Sequence, residues 1–205
     1  METYNKQYEI PLMEQFYSIQ GEGYHSGRPA YFIRLAGCDV GCTWCDVKES
    51  WNAKDHELIS ISDIIKDVVA SGTDFAVITG GEPAMYDLKP LTKALKEHQI
   101  EIAIETSGAY QITGTIDWIC LSPKKFKMPL EENYIKAHEL KMIAFNTHDF
   151  KWALELETKI DDNCQRFIQP EWDKQNDILP LVIDFVKSNI NWKISLQTHK
   201  FLNVR

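Results

Sequence analysis

The chain has no hydrophobic run near the ~18 residues that a membrane helix needs, and its opening stretch METYNKQYEI lacks the basic-then-apolar order of a secretory leader. A cytoplasmic protein without a membrane partner is the expectation. Basic charge is also in short supply, since 22 Lys and Arg against 30 Asp and Glu leave a net charge of -8. Proteins that grip nucleic acid neutralise phosphates with clustered Lys and Arg, so no nucleic-acid partner is expected and a small-molecule substrate is favoured. Internal repeats, low-complexity tracts and Pro/Gly/Ser-rich linkers are missing too, and residues 1–205 are expected to form one domain. The last absence is a fourth cysteine beside the other three. Of five cysteines, Cys38, Cys42 and Cys45 fall within eight residues, too close for a disulfide framework, and no His or Cys follows closely enough to complete a four-ligand zinc site.

What is present alternates in period. Short β-branched or aromatic runs at Tyr31–Leu35, Phe75–Thr79, Ile100–Glu105, Ile116–Leu121, Leu140–Phe145, Arg166–Ile168 and Trp192–Leu196 read as buried strands. Between them, Ser60–Gly72, Leu88–His98, His148–Glu157 and Gln175–Ser188 have helical spacing. In the first of these Ile64, Ile65, Val68 and Val69 fall on one face, Ser60 with Asp63 offers a capping box, and Gly72 suits the stop. Strands alternating with helices predict an α/β fold, a partial (β/α) barrel of parallel strands.

In such a fold, chemistry gathers where the strands end. After the first strand comes Cys38-Asp39-Val40-Gly41-Cys42-Thr43-Trp44-Cys45, with C-x3-C-x2-C spacing. Three thiolates on a cubane cluster leave one iron open to bind and reduce a cofactor. Later strand ends carry Gly80-Gly81-Glu82-Pro83, Thr106-Ser107-Gly108, Ser122-Pro123-Lys124-Lys125, Gln169-Pro170 and Thr198-His199-Lys200. Gly80 and Gly81 admit close backbone approach, and Glu82 and Lys124 are expected to meet the ammonium and carboxylate of an amino acid. Trp51 and His56 lie in an insert, Val47–Glu57, expected to cover the cluster loop, while Lys127 reads as a solvated lysine and Trp118, Trp152 and Trp192 as core or interface residues.

The cysteine loop and the glycine-rich strand end resemble the radical S-adenosylmethionine superfamily. Ser18-Ile19-Gln20-Gly21-Glu22-Gly23, Phe32-Ile33-Arg34-Leu35-Ala36-Gly37-Cys38 and Leu196-Gln197-Thr198-His199-Lys200 carry a finer resemblance, to the 7-carboxy-7-deazaguanine synthase family of queuosine and deazapurine biosynthesis. The resemblance implies a lyase that converts 6-carboxy-5,6,7,8-tetrahydropterin to 7-carboxy-7-deazaguanine with loss of ammonia. It further implies a 4Fe-4S cluster on Cys38, Cys42 and Cys45 and an S-adenosylmethionine-derived 5′-deoxyadenosyl radical that removes a substrate hydrogen. An external donor such as flavodoxin or ferredoxin and a homodimer belong to the same picture.

Carried over by position, the resemblance puts the pterin on Ile19, Gln20, Gly21, Glu22, Arg34 and Thr79 and at a terminal carboxylate on Arg205. S-adenosylmethionine falls to Trp44, Cys45, Asp46, Gly81, Ser107, Ser122, Pro123, Lys124, Gln169 and Pro170. Arg34 on a buried strand needs an anionic partner, which independently favours a binding role. One position departs from the family: a hydroxyl residue that helps bind Mg2+ commonly stands two places after the last cysteine, and this chain has Val47. Valine has no ligand atom, which leaves substrate, water and Asp46 as oxygen sources for the ion, or makes the ion dispensable. A glycyl-radical-enzyme activase and a non-catalytic iron-sulfur electron-transfer module are the competing readings.

Overall fold

The computed structural model describes residues 8–205; the first seven residues, part of the opening stretch read above for a leader, lie outside the described residues. Among the described residues nine strands form one open sheet. They are β1 (Glu9–Ile19), β2 (Pro29–Leu35), β3 (Glu57–Ser60), β4 (Phe75–Gly80), β5 (Glu101–Thr106), β6 (Trp118–Leu121), β7 (Glu139–Ala144), β8 (Gln165–Pro170) and β9 (Trp192–Ile194), in the spatial order β3-β1-β2-β4-β5-β6-β7-β8-β9. From β2 through β9 every neighbouring pair is parallel, as the alternation predicts for a partial barrel. The first and last strands of that order do not pair, so the barrel stays open.

Helices α1 (Ile61–Ala70), α2 (Lys89–Glu97), α3 (Glu131–Lys136), α4 (His148–Glu157) and α5 (Gln175–Ser188) lie between strands, and α6 (Thr198–Leu202) follows β9. Among the described residues no helix is long and apolar enough to cross a membrane. The Ser60 Oγ accepts from the Asp63 amide at 3.2 Å and caps α1 as expected. Ile64, Ile65 and Val68 are buried, whereas Val69, expected on the same face, is exposed. At 100° per residue the apolar arc of a ten-residue helix is narrower than a run of two adjacent pairs, and Val69 falls beyond its edge.

Two antiparallel partners depart from the all-parallel expectation, for β1 pairs antiparallel with both β2 and β3. The sequence of β1 hides its nature. Pro11 interrupts it, and most of its residues are only partly buried, so the strict alternation of a half-buried strand is absent.

The parallel strands divide their residues by parity, because successive side chains point to opposite faces. Ile33, Ile78, Ile102 and Ile104 pack outward on Ile64, Val68, Leu91 and Leu95 of α1 and α2. Leu140, Met142, Ile168 and Trp192 pack outward with Leu156 of α4 and Val182 of α5. Burying a side chain of this size stabilises by roughly 1.5–3 kcal/mol, so these two layers hold the sheet's shape. The inward face is different. Phe32, Phe75, Val77 and Ala103 fill one end, and toward the strands' C-terminal ends it carries Thr79, Glu105 and Lys141, which therefore point into the barrel mouth.

Candidate active site

Those strand ends surround a cavity of about 260 Å³. The cysteine loop forms one wall and is fastened from both sides. The Gly37 amide donates to the Ser50 carbonyl at 2.6 Å, and that of Cys38 donates to the Trp51 carbonyl at 3.0 Å. Thus the insert after the loop straps it, and Trp51 itself lines the cavity. On the other side the Glu82 amide donates to the Gly37 carbonyl at 2.9 Å. Gly81 permits this approach, since a Cβ there would stand 2.4 Å from the Gly37 carbonyl oxygen.

Cys38, Cys42 and Cys45 are free thiols, and all three face the cavity. Among the described residues, no three His, Cys, Asp or Glu side chains gather tightly enough to hold a single metal ion. A cubane asks for something else, thiolates spread over separate irons, and this loop with its open cavity side provides that donor set. Burial pushes the Cys38 and Cys42 thiols up, so loading iron must displace protons from them. Cys120 and Cys164 lie in strand β6 and just before β8, are buried, and do not line the cavity. Burial holds the Cys164 thiol up at about 12.

The residues assigned to S-adenosylmethionine sit on this side. Trp44, Asp46, Gly81, Ser107, Ser122, Lys124, Gln169 and Pro170 all line the cavity, while Pro123 does not. The Lys124 ammonium donates to the Ser122 carbonyl at 2.6 Å and the Ser122 hydroxyl at 2.7 Å, and lies 5.6 Å from the Trp44 ring centroid. Burial lowers its pKa. Glu82 behaves differently from the sequence expectation. Its carboxylate accepts from the Ala84 amide at 3.0 Å, the Ser107 amide at 2.7 Å and the hydroxyls of Thr106 and Ser107, so it knits two strand-end loops together from inside instead of offering itself to a ligand's ammonium. Lys127, expected in solvent, donates to Asp39 at 2.7 Å and to the Tyr110 hydroxyl at 2.6 Å, tying the β6 loop to the cysteine loop.

Ile19, Gln20, Gly21, Glu22, Arg34, Thr79 and Arg205, every position assigned to the pterin, line the same cavity. Arg34 Nε is paired with Glu14 at 2.9 Å, and Arg205 pairs with the same carboxylate. Two guanidiniums thus converge on one carboxylate beside the cavity. Ser18 Oγ donates to the Arg205 main-chain oxygen at 2.6 Å.

Glu105 and Lys141, which the sequence did not single out, also line the cavity, as do Gln197 and His199 of the C-terminal motif, to which it gave no role. Lys141 joins Glu22 at 2.6 Å and Glu105 at 3.5 Å, and Gln197 Nε2 donates to Glu22 at 2.8 Å. His199 occupies the space a side chain at Gly21 would need, a Cβ there lying 2.1 Å from Nδ1. One signal was present in the sequence: a lysine inside an apolar strand is as costly to bury unpaired as Arg34.

Burial works to raise the Glu22 pKa, but the Lys141 charge and hydrogen bonds from Lys141 and Gln197 outweigh it and bring the value to about 2 from 4.5. A carboxyl depressed on folding contributes stability that is present above its unfolded pKa and lost as pH falls through the folded one. The melting temperature is therefore expected to fall as pH drops from 4.5 toward 2, and Glu22→Gln to flatten that slope. Thermal melts of both proteins across this range check it; parallel slopes would refute it.

An open parallel barrel with three thiols on the loop after its first parallel strand defines an enzyme of the radical S-adenosylmethionine superfamily, and the family model described as Radical SAM superfamily matches residues 32–117. The 7-carboxy-7-deazaguanine synthase of Flavobacterium psychrophilum is 52% identical over 195 residues, covering 95% of this chain and 92% of the relative. That of Escherichia coli K12 is 35% identical over 223 residues, covering 96% and 99%. The crystal structure of QueE from Escherichia coli superposes with a TM-score of 0.80 at 32% identity, covering 92% of this chain and 93% of that one. The chain belongs to the 7-carboxy-7-deazaguanine synthase family. The family places it among radical S-adenosylmethionine lyases and sets aside the activase and electron-transfer readings.

Proposed function

We propose that residues 1–205 act as one catalytic unit, converting 6-carboxy-5,6,7,8-tetrahydropterin to 7-carboxy-7-deazaguanine with loss of ammonia. The observation that carries this reading is the make-up of one cavity wall: three thiols share it with a polar array that suits a planar, donor-rich, anionic ring. When bound, the 4Fe-4S cluster on Cys38, Cys42 and Cys45 supplies the electron that cleaves S-adenosylmethionine to a hydrogen-abstracting radical.

The chain's own residues do the aiming. Arg34 Nε is committed to Glu14, which leaves its Nη groups to receive the substrate carboxylate. Gln20, Glu22 and Thr79 read the ring edge, with Ile19 and Gly21 shaping the space beside it. Of the residues assigned to the cofactor, Lys124, Ser122, Gln169 and Asp46 supply polar contacts, and Trp44 and Pro170 supply surface.

Val47 lines the cavity but offers no oxygen, so any Mg2+ is held by substrate, water and Asp46. Asp46 is already engaged at 3.4 Å by both Gln197 and Lys200. The electron donor is a reduced flavodoxin- or ferredoxin-type protein in the cytoplasm, and the edges at β3 and β9, unpaired among the described residues, are covered by assembly of a homodimer; sedimentation that finds only monomer at micromolar concentration removes the dimer. The function is tested by anaerobic turnover of the reduced, reconstituted enzyme with and without Mg2+, read by mass spectrometry. Product in both arms supports the reading and a dispensable ion, whereas cofactor cleavage without 7-carboxy-7-deazaguanine discards the substrate.

A further inference from the structure

Three charged side chains meet on the inward face where β5 and β7 end. Lys141 Nζ lies 2.6 Å from Glu22 Oε2 and 3.5 Å from Glu105 Oε1, and the lysine side chain is 5% exposed. The two carboxylates arrive from separate elements, Glu22 from the loop after β1 and Glu105 from β5. Nothing local forces them together. Two carboxylates at one buried site do not both stay ionised without a cation between them, and Lys141 is that cation. The trio then carries one net negative charge.

The remaining contacts hold both acids as acceptors. Gln197 Nε2 donates to Glu22 Oε1 at 2.8 Å. Gln20 Nε2 donates to Glu105 Oε1 at 3.1 Å, and Thr79 Oγ1 to Glu105 Oε2 at 3.2 Å. An ionised carboxylate has about four acceptor positions, so each acid keeps capacity for a ligand, and both line the cavity. A buried lysine is an expensive way to fill space, because an apolar residue of similar volume stabilises as well or better. Its placement calls for a reason beyond packing.

We infer that Lys141 is a specificity-determining positioning residue: by keeping Glu22 and Glu105 both ionised and aligned, it makes this wall accept a ring edge of N–H donors and reject the same ring with a carbonyl there. The inference rests on the pterin reading of the cavity and assigns to Lys141 the discrimination of a 2-amino-4-oxo ring from a 2,4-dioxo ring. A carbonyl facing two carboxylates is left unpaired and repelled, whereas the exocyclic amine is bonded.

The test is equilibrium binding of two stable, fully oxidised ligands, 2-amino-4-oxopteridine-6-carboxylate and 2,4-dioxopteridine-6-carboxylate, to the cluster-loaded enzyme with S-adenosylmethionine. The native enzyme is expected to prefer the amino ligand by about 100-fold in Kd. In Lys141→Met one carboxyl takes up a proton and becomes a donor, so the preference is expected to collapse below about 5-fold. Lys141→Arg keeps a cation between the two acids, and its preference is expected to stay above about 30-fold. If Lys141→Met does not fold, Lys141→Gln, which keeps a polar group but no charge, carries the same expected collapse. A preference unchanged in the neutral variant, with both ligands weakened alike, overturns the role and leaves Lys141 a structural residue; so does a Lys141→Arg enzyme that folds and binds without the preference. Failure of the native enzyme to bind either ligand refutes the pterin reading itself, a separate result from loss of discrimination.

Discussion

Cys42→Ala is expected to leave a folded protein with neither cluster nor activity. The residue sits in an irregular loop held by main-chain bonds from Gly37 and Cys38 to the following insert, and removing one sulfur leaves those bonds in place. The thermodynamic cost of such a small truncation is about 1 kcal/mol. Cluster assembly, in contrast, loses a third of its protein ligands, and no other thiol can substitute. Cys120 is fully committed to strand β6, with its thiol raised well above the usual range by burial, and Cys164 packs in the outer core. Iron and sulfide content after anaerobic reconstitution, the visible spectrum and 5′-deoxyadenosine formation are the readouts. A variant that retains a full cluster and cleaves S-adenosylmethionine would remove the thiol loop from the centre of the account.

Arg34→Ala is expected to separate the two halves of the cavity. Loss of a charge-assisted contact to the substrate carboxylate costs about 2 kcal/mol, or roughly a 30-fold rise in KM for the pterin. S-adenosylmethionine cleavage in the absence of pterin should be nearly unchanged, since the Arg34 side chain is paired with Glu14 of β1 and not with the cysteine loop. Part of the loss reflects Glu14, which in the variant retains only Arg205. Arg34→Lys keeps the charge but not the planar fork, and should recover only part of the affinity. Steady-state KM and uncoupled cofactor cleavage, measured side by side, check this; equal loss of both activities, or failure of cluster assembly, would show that Arg34 supports the loop and not the substrate.

The parts of this site readable in the sequence are those whose chemistry is local. The thiols announce themselves by spacing within one loop, and the parallel strands by short apolar runs between amphipathic helices. What could not be read depends on distant segments meeting. Strand β1 carries Pro11 and has few fully buried residues, so its character emerges only from its pairing with β2 and β3. Glu82 looked free because a carboxylate after two glycines has no local partner, yet Thr106 and Ser107 arrive from the next strand end to satisfy it. Lys141 hid in the reverse way. Its neighbours Leu140 and Met142 are core residues, and a lone charge among them names no partner until the strand's alternate face is placed in the barrel. There the lysine meets Glu22 and Glu105, which lie 119 and 36 residues away in the chain. Long-range polar pairing leaves no periodic trace.

The central claim is that one cavity brings S-adenosylmethionine and a reduced pterin into reacting contact. The most direct measurement places deuterium on the reduced-ring carbons of 6-carboxy-5,6,7,8-tetrahydropterin and follows it by mass spectrometry through anaerobic turnover. Deuterium recovered in the 5′-position of the adenosyl group, together with 7-carboxy-7-deazaguanine, is the predicted result. An adenosyl group that acquires hydrogen from solvent alone, with the pterin returned intact, would contradict the account.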